Sequence, residues 1–376
     1  MKILYDYQAF HMQQYGGVSR FYCETIPLLK NEYECSIAVF ESDNIHLHES
    51  GLIKKLRYCH HINWGILNNY NFIGKHRISQ WYENLYTNKK YSIHKLKEQK
   101  FDLFEPTFYD TYFLDYLKGK PFVLNIHDMI PELFPMYFSN DTQTYHKKYL
   151  CPLATHIFTP TLKTKEDLVN ILNINPDKIS VIYRGFSSMP INKKNYQQHK
   201  KPYLLYIGTR YKYKNFTPFV KSFAEIIKSK KELQLICTGP DFNSEEIKLI
   251  KELHIGDNIH HIFANSNELS ALYSGAIAFI FPSQYEGFGL PILEAWSLGC
   301  PVLLNNASCF PEVAGDAALY FKMNETENNF IEILDFFLNY SEEQRNNLVE
   351  KGYNRLSNYS WENTTNLISK TYSSLF

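Results

Sequence analysis

Two glutamates, Glu286 and Glu294, frame a glycine-bearing turn in the stretch E-G-F-G-L-P-I-L-E. An apolar run ends at Phe281, and the loop after it holds Pro282, Glu286, Gly287 and Gly289. Pro291 is expected at the first position of a helix, with Glu294 one turn further in. The glycines permit close backbone approach and positive φ, so the main-chain N–H groups around Gly287, Phe288, Gly289 and Leu290 can face a phosphate whose charge the helix dipole favours. Carboxylates beside such a site cannot themselves bind phosphate. They are suited to accept charge-assisted hydrogen bonds from sugar or ribose hydroxyls. An isolated pair of glutamates would serve equally well by favouring the helix start through its macrodipole.

Cations that could neutralise a diphosphate stand nearby in kind. In Y-L-L-Y-I-G-T-R-Y-K-Y-K-N-F, residues 203–216, a strand ends at Gly208 and is followed by Arg210, Lys212 and Lys214. Arg would act through its fork and Lys as a point charge; a solvated basic loop is the bland alternative. In the first half, Q-Y-G-G-V-S-R places Gly16 and Gly17 between a strand and a helix, where N–H groups point outward. The segment F-V-L-N-I-H-D-M-I-P-E-L-F-P puts His127 and Asp128 at a strand's C-terminal end, where open α/β sheets bind ligands.

These segments together resemble the retaining family 4 (group 1) glycosyltransferases of GT-B fold. The pattern E-G-F-G-L-P-x-L-E-A, then G-C-P-V, then P-E-V-A-G-D-A-A carries the resemblance most specifically, over about Tyr203 to Tyr320. The resemblance implies that Glu294 holds the nucleotide ribose and that Glu286 contacts the donor sugar or its phosphate. It implies that Lys214, matching the K-N position, binds the donor diphosphate with an arginine as second cation. Relatives place that arginine at positions occupied here by Thr209 and Tyr213, so either Arg210 has taken the role or the second cation is absent. By the same resemblance the Gly16–Gly17 loop lies near the donor phosphate, His127 orients the reacting groups, and Asp128 and Tyr109 stand on the acceptor side. In D-L-F-E-P, Glu105 occupies a position where close relatives often carry histidine.

The elements that must position these residues are legible as short apolar runs alternating with helical periods, the form of β-α repeats around parallel sheets. Strands are expected at Ile3–Tyr5, Ser36–Phe40, Leu103–Phe104, Phe122–Ile126, Ile157–Thr159 and Ser180–Ile182. In the second half they are expected at Tyr203–Ile207, Gln234–Thr238, Ile259–Ile262, Ala278–Phe281 and Val302–Leu304. Helices fit Val18–Leu29, Lys163–Leu172, Thr217–Ser229, Glu245–Leu253, Glu268–Ser274 and Pro291–Leu298, and beyond Phe321 the pattern is wholly helical. The resulting expectation is an α/β chain of two doubly wound Rossmann-like domains facing across a cleft. Residues 1–190 form the acceptor-side domain and 201–358 the nucleotide-sugar domain. A lysine-rich linker spans Ser187–Lys201, and a terminal helix in 359–376 returns to the first domain, its stripe of Trp361, Leu367, Ile368 and Tyr372 seeking an apolar partner. An aromatic and basic stretch, His60–Tyr91, reads as an irregular helical insertion in the first domain, ordinary local packing with a solvated basic rim, the sharper alternative being a surface for a lipid-linked acceptor at the membrane interface.

Composition narrows the classes. Thirty-nine basic and 39 acidic residues give a formal net charge of +0, so no global field would gather nucleic acid. The seven cysteines are scattered without C-x-x-C spacing, against a disulfide framework or a zinc site. The start lacks a signal-type apolar region and no run approaches a membrane span, so a cytoplasmic protein is expected, with transient contact at the inner membrane face. The expected partners are a nucleotide-sugar donor, with GDP-mannose the first choice, and a lipid-linked glycan acceptor. No metal or other cofactor is expected, and the chain has no D-x-D. A nucleotide-sugar epimerase or phosphorylase of the same fold, or a non-catalytic relative, are the competing classes.

Overall fold

The structure, a computed structural model, describes residues 1–54, 56–58, 87–139, 141–189 and 201–375. The expected insertion up to residue 86 and most of the expected linker, residues 190–200, lie outside the described residues.

The first half is a parallel sheet built from β1 (Lys2–Tyr5), β2 (Glu34–Ile37), β3 (Leu103–Glu105), β4 (Val123–Asn125), β5 (His156–Thr159) and β6 (Ile179–Val181). Its strands pair as β2-β1-β3 and β4-β5-β6, and a bridge between Phe104 and Phe122 joins the two ribbons. The second half contains β7 (Tyr203–Tyr206), β8 (Gln234–Cys237), β9 (Ile259–His261), β10 (Ala278–Phe281), β11 (Val302–Asn305) and β12 (Leu319–Phe321). These six strands are parallel in the order β12-β11-β10-β7-β8-β9. Renumbered within the half, this is the doubly wound order 3-2-1-4-5-6, and its direction reverses between β7 and β10. The loops leaving those two strands therefore diverge and open a crevice, and they are the loops that hold Lys214 and Glu286. In the first half the reversal falls between β1 and β3.

Strands β7, β8, β10 and β11 are buried at every position, which is why they read as unbroken apolar runs such as A-F-I-F and V-L-L-N. The Phe216–Ile227 helix lays Phe216, Phe219, Val220 and Phe223 against one face of this sheet, and the Leu290–Ser297 helix lays Ile292, Leu293 and Trp296 against the other. Each such side chain contributes about 1.5–3 kcal/mol by leaving water.

The terminal helix, Trp361–Leu375, returns to the first half as expected. Trp361, Ile368 and Tyr372 join the cluster of Phe21, Tyr22 and Ile26 from the Gly17–Leu29 helix, whereas Leu367, expected in the same stripe, is exposed; the Tyr372 hydroxyl donates to the carboxylate of Glu105. Glu105 is 2% exposed. It is thus a core group beneath this helix and not part of an acceptor surface. Burial pushes its pKa up to about 7, against the lowering effect of the Tyr372 hydrogen bond.

Some boundaries differ from expectation. Strand β2 lies at Glu34–Ile37 because it registers against Lys2–Tyr5, while the apolar residues Ala38 and Val39, expected within it, are buried beyond the sheet. The Leu290–Ser297 helix begins one residue early, on Gly289 at φ +96°, so Pro291 takes the second position. The helices Asn88–Glu98 and Gln143–Leu153 and strand β12 went unforeseen.

Candidate active site

Lys214 ends a single 3-10 turn after β7, and Glu286 sits in the loop after β10. Lys214 Nζ donates to Glu286 Oε1 at 2.5 Å, with the two side chains only 15% and 13% exposed. The Glu286 backbone is fixed by Ser308, whose hydroxyl accepts from the Glu286 N–H and donates to the Glu286 carbonyl. The two groups expected to meet a diphosphate and a sugar are thus brought together and neutralise each other.

Gly287 lies against the first half. A Cβ there would stand 2.0 Å from the carbonyl oxygen of His127, so no side chain fits without parting the halves. Its own carbonyl accepts from the Thr161 hydroxyl at 3.1 Å. Gly17, the first residue of its helix, similarly faces Leu290. Gly16 precedes it in extended conformation. Gly208 closes β7 at φ +106° and donates its N–H to Thr238.

Glu294 has a partner in each half. Its Oε2 accepts from the Tyr273 hydroxyl at 3.0 Å, and its Oε1 faces Nη1 of Arg20 at 3.4 Å. Burial raises its pKa above the ordinary carboxyl range, while Arg20 and Tyr273 oppose that shift. Arg20 was visible in the G-G-V-S-R segment but not assigned a role. Its signal was a cation one turn into a helix that starts at the cleft.

The Arg210 fork is largely engaged within the second half. Its side chain is 3% exposed and committed elsewhere: Nε pairs with Glu246 at 3.0 Å, and Nη2 donates to the carbonyls of Pro240 and Asp241 at 2.5 and 2.7 Å. The guanidinium also lies over the rings of Phe216 and Phe242. Arg210 fastens the loop after β8 to the Ser244–Glu252 helix through Nε and Nη2, while its Nη1 has no hydrogen-bond partner among the described residues.

In the first half, the His127 N–H donates to the Tyr109 hydroxyl at 3.0 Å. Nε2 of His127 is buried with no hydrogen-bond partner among the described residues, and burial followed by the charges of Arg184 and Lys147 lowers the ring's pKa well below the usual value. Asp128 turns its carboxylate back to the Ile130 N–H and sits 3.9 Å from Lys147 Nζ. Tyr109 is 2% exposed and lines a cavity of about 280 Å³ with Tyr7, His11, Phe108, Asp110 and His146. Arg184, after β6, contacts His127 and was missed; a lone cation at the end of a sheet strand was its only signal.

Two Rossmann-like sheets whose strand ends meet across a bridged cleft define a GT-B protein. Comparison with known proteins agrees. Residues 15–188 match the family described as Glycosyltransferase Family 4, and residues 189–355 match Glycosyl transferases group 1. The chain belongs to these group 1 glycosyltransferases. It is 28% identical over 212 residues to the O-antigen chain mannosyltransferase RfbU of Salmonella typhimurium, and 29% identical over 222 residues to the O-antigen chain mannosyltransferase B of Escherichia coli. Each alignment takes in 54% of this chain, and the chain spans 58% of the length of either relative. Among solved structures, sucrose-phosphate synthase from Thermosynechococcus elongatus superposes with a TM-score of 0.72 at 16% identity, covering 100% of this chain and 98% of that one. Anabaena Alr3699/HepE in complex with UDP-glucose gives 0.71 at 14% identity, with 100% of both chains covered. Among the described residues, no helix is long and apolar enough to cross a membrane.

Proposed function

We propose that this chain is a retaining, metal-independent hexosyltransferase. It moves a hexose, mannose from GDP-mannose in the first instance, to a hydroxyl of a growing, lipid-linked surface glycan. The observation that carries this reading is the Lys214–Glu286 pair at the point where the second sheet reverses direction. The names of the O-antigen mannosyltransferase relatives support the choice of sugar and pathway class.

When a nucleoside diphosphate leaves the anomeric carbon, negative charge grows on its distal phosphate. Lys214 and the N–H groups at the start of the Leu290–Ser297 helix stabilise that charge more in the transition state than in the ground state. They supply the positive charge that a metal supplies elsewhere. Glu286, released from Lys214 as the phosphate arrives, accepts a hydrogen bond from a sugar hydroxyl. Glu294 accepts from the ribose. The acceptor hydroxyl attacks from the leaving-group side and gives its proton to the departing phosphate, which retains the anomeric configuration. Glu286 is a ligand in this scheme and not a nucleophile. The acceptor approaches over the first half from the cytoplasmic face of a membrane, with which the protein makes transient contact.

The test is thermal denaturation of the protein with GDP, UDP, TDP and their sugar conjugates in EDTA. A ligand at about 100 times its dissociation constant stabilises by about 2.7 kcal/mol. A selective, EDTA-insensitive shift with GDP and GDP-mannose supports the reading. A shift with another nucleotide alone overturns the donor, and no shift with any nucleotide overturns the transferase.

A further inference from the structure

The ring of His127 is held by a residue that the scheme above does not use. Arg184 is 6% exposed, and its guanidinium lies over the Phe21 ring at 4.0 Å. Its Nη2 donates to Asn125 Oδ1 at 2.9 Å and faces His127 Nδ1 at 3.1 Å. A guanidinium has donors only, so Nδ1 must be the accepting nitrogen and the imidazole proton must sit on Nε2. The Thr107 backbone beside the ring opposes the lowering of its pKa by burial and the two cations.

Four groups in this cluster have no hydrogen-bond partner among the described residues: Nε2 of His127, Nδ2 of Asn125, Nη1 of Arg184 and the Tyr22 hydroxyl. Among the described residues, Arg184 also has no carboxylate within ion-pair distance. The groups that favour its charge, the phenols of Tyr22 and Tyr109 and the carboxylate of Glu105, act on it through space, while burial brings its pKa down to about 10. Arg210 also leaves Nη1 without a partner, but it is fastened to a carboxylate and two carbonyls. Arg184 instead places a donor against His127, whose backbone meets Gly287 of the second half.

We propose that Arg184 is a positioning residue for the transfer: it holds the His127 proton on Nε2, so that the ring is a fixed hydrogen-bond donor to a sugar or phosphate oxygen of the nucleotide sugar. The role of that oxygen rests on the reading of the cleft given above; the tautomer does not. The charged and titratable groups facing the ring are Arg184, Lys147, the neighbouring Asp128, and the phenols of Tyr22 and Tyr109. The two cations and burial keep the ring neutral, so its protonation never limits turnover in the wild type.

The test pairs kinetics with nitrogen NMR of histidine-labelled protein, the His127 signal being assigned by its loss in His127→Gln. In the wild type, His127 shows the Nε2–H pattern unchanged from about pH 5.5 to 8. In Arg184→Met, the pattern becomes a tautomer average that titrates, kcat falls about 100-fold, and the donor KM moves by less than about 3-fold. Arg184→Gln keeps a donor to Nδ1 without the charge. It recovers most of kcat at about pH 8 but acquires an acid limb that stays below the ordinary histidine pKa of about 6.5, because burial and Lys147 still oppose the charge. Should Arg184→Met not fold, Arg184→Gln carries the test through that acid limb. A His127 signal that keeps the Nε2–H pattern in a folded variant without a donor overturns the proposal. So does a lowered melting temperature with kcat and its pH profile unmoved. The NMR result needs no turnover, so a chain that transfers no sugar would overturn the function while leaving the positioning of His127 still readable.

Discussion

Lys214 and Glu286 meet at 2.5 Å although they come from loops leaving different strands, β7 and β10, 72 residues apart in sequence. Each satisfies the other's charge in a largely closed pocket, which lowers the cost of keeping both ionised before substrate binds. A diphosphate would take Lys214 from Glu286 and free the carboxylate for a sugar hydroxyl, so that donor binding itself prepares the second contact.

The pair should therefore behave as a unit. Lys214→Ala and Glu286→Ala are each expected to cut kcat about 100-fold or more, the usual cost of losing one transition-state contact. The double variant is expected to lose at least about 5-fold less than the product of the single losses. Glu286→Ala should leave nucleoside diphosphate affinity nearly unchanged by titration calorimetry, whereas Lys214→Ala should weaken it. Strictly multiplicative losses would show that the two do not share a task.

Glu294→Gln separates ribose binding from chemistry. Loss of a hydrogen bond to a charged group costs about 1.5–3 kcal/mol, so the dissociation constant of the nucleoside diphosphate should rise by about 10- to 100-fold. At saturating donor, kcat should stay within a few-fold of the wild type. Unchanged affinity would remove Glu294 from the ribose.

Gly287→Ala tests whether the contact between halves matters to catalysis. The new methyl group would stand 2.0 Å from the His127 carbonyl. The halves must separate there, and kcat should fall by about 100-fold, since misplacement by about 1 Å costs that much. The melting temperature should change little because the clash is relieved by opening the cleft. Full activity would mean that this contact is absent during turnover.

Arg210→Ala should damage stability and spare the donor site. Removing one member of a buried ion pair costs about 3–5 kcal/mol, and Glu246, 9% exposed beside Arg210, would lose its partner. Denaturant unfolding should report that loss while nucleoside diphosphate affinity stays near the wild-type value. An intact stability with a lost affinity would return Arg210 to the diphosphate.

Glu105 gives a pH-dependent stability. Its folded pKa of about 7 lies above the ordinary 4.5 because of burial. Its contribution is fully present below the unfolded pKa and is lost as pH rises through about 7, up to about 3 kcal/mol in all. Relative to the wild type, Glu105→Gln should show a melting temperature that gains steadily from about pH 5 to 8, measured by calorimetry. A difference independent of pH would show that Glu105 does not hold its proton in the core.

Strands β7, β8, β10 and β11 were legible in sequence to within a residue because they are buried on both faces, so runs such as A-F-I-F and V-L-L-N stand out, and Gly287 and Gly289 mark the loop after β10; the half-exposed β12 was not legible. The partners of the site residues were not legible. Arg210 and Lys214 look alike in a basic loop, and only the fold sends one to Glu246 and the other to Glu286. Arg20 and Arg184 act across 274 and 57 residues of chain, on Glu294 and His127, distances at which no local pattern speaks. The Gln143–Leu153 helix escaped because Pro152 and its scattered tyrosines break the helical period, its buried contacts being Lys147, Leu150 and Cys151.

The central claim is that the cleft transfers a hexose from a nucleotide sugar without a metal. The most direct measurement is release of nucleoside diphosphate from GDP-mannose in EDTA, with and without a glycan carried on a polyprenyl diphosphate. Wild type and Lys214→Ala are compared side by side. The account predicts release that the acceptor stimulates, that EDTA leaves unchanged, and that Lys214→Ala reduces about 100-fold. Absence of acceptor-stimulated release from GDP-, UDP- and TDP-sugars alike, or release that EDTA abolishes, would contradict it.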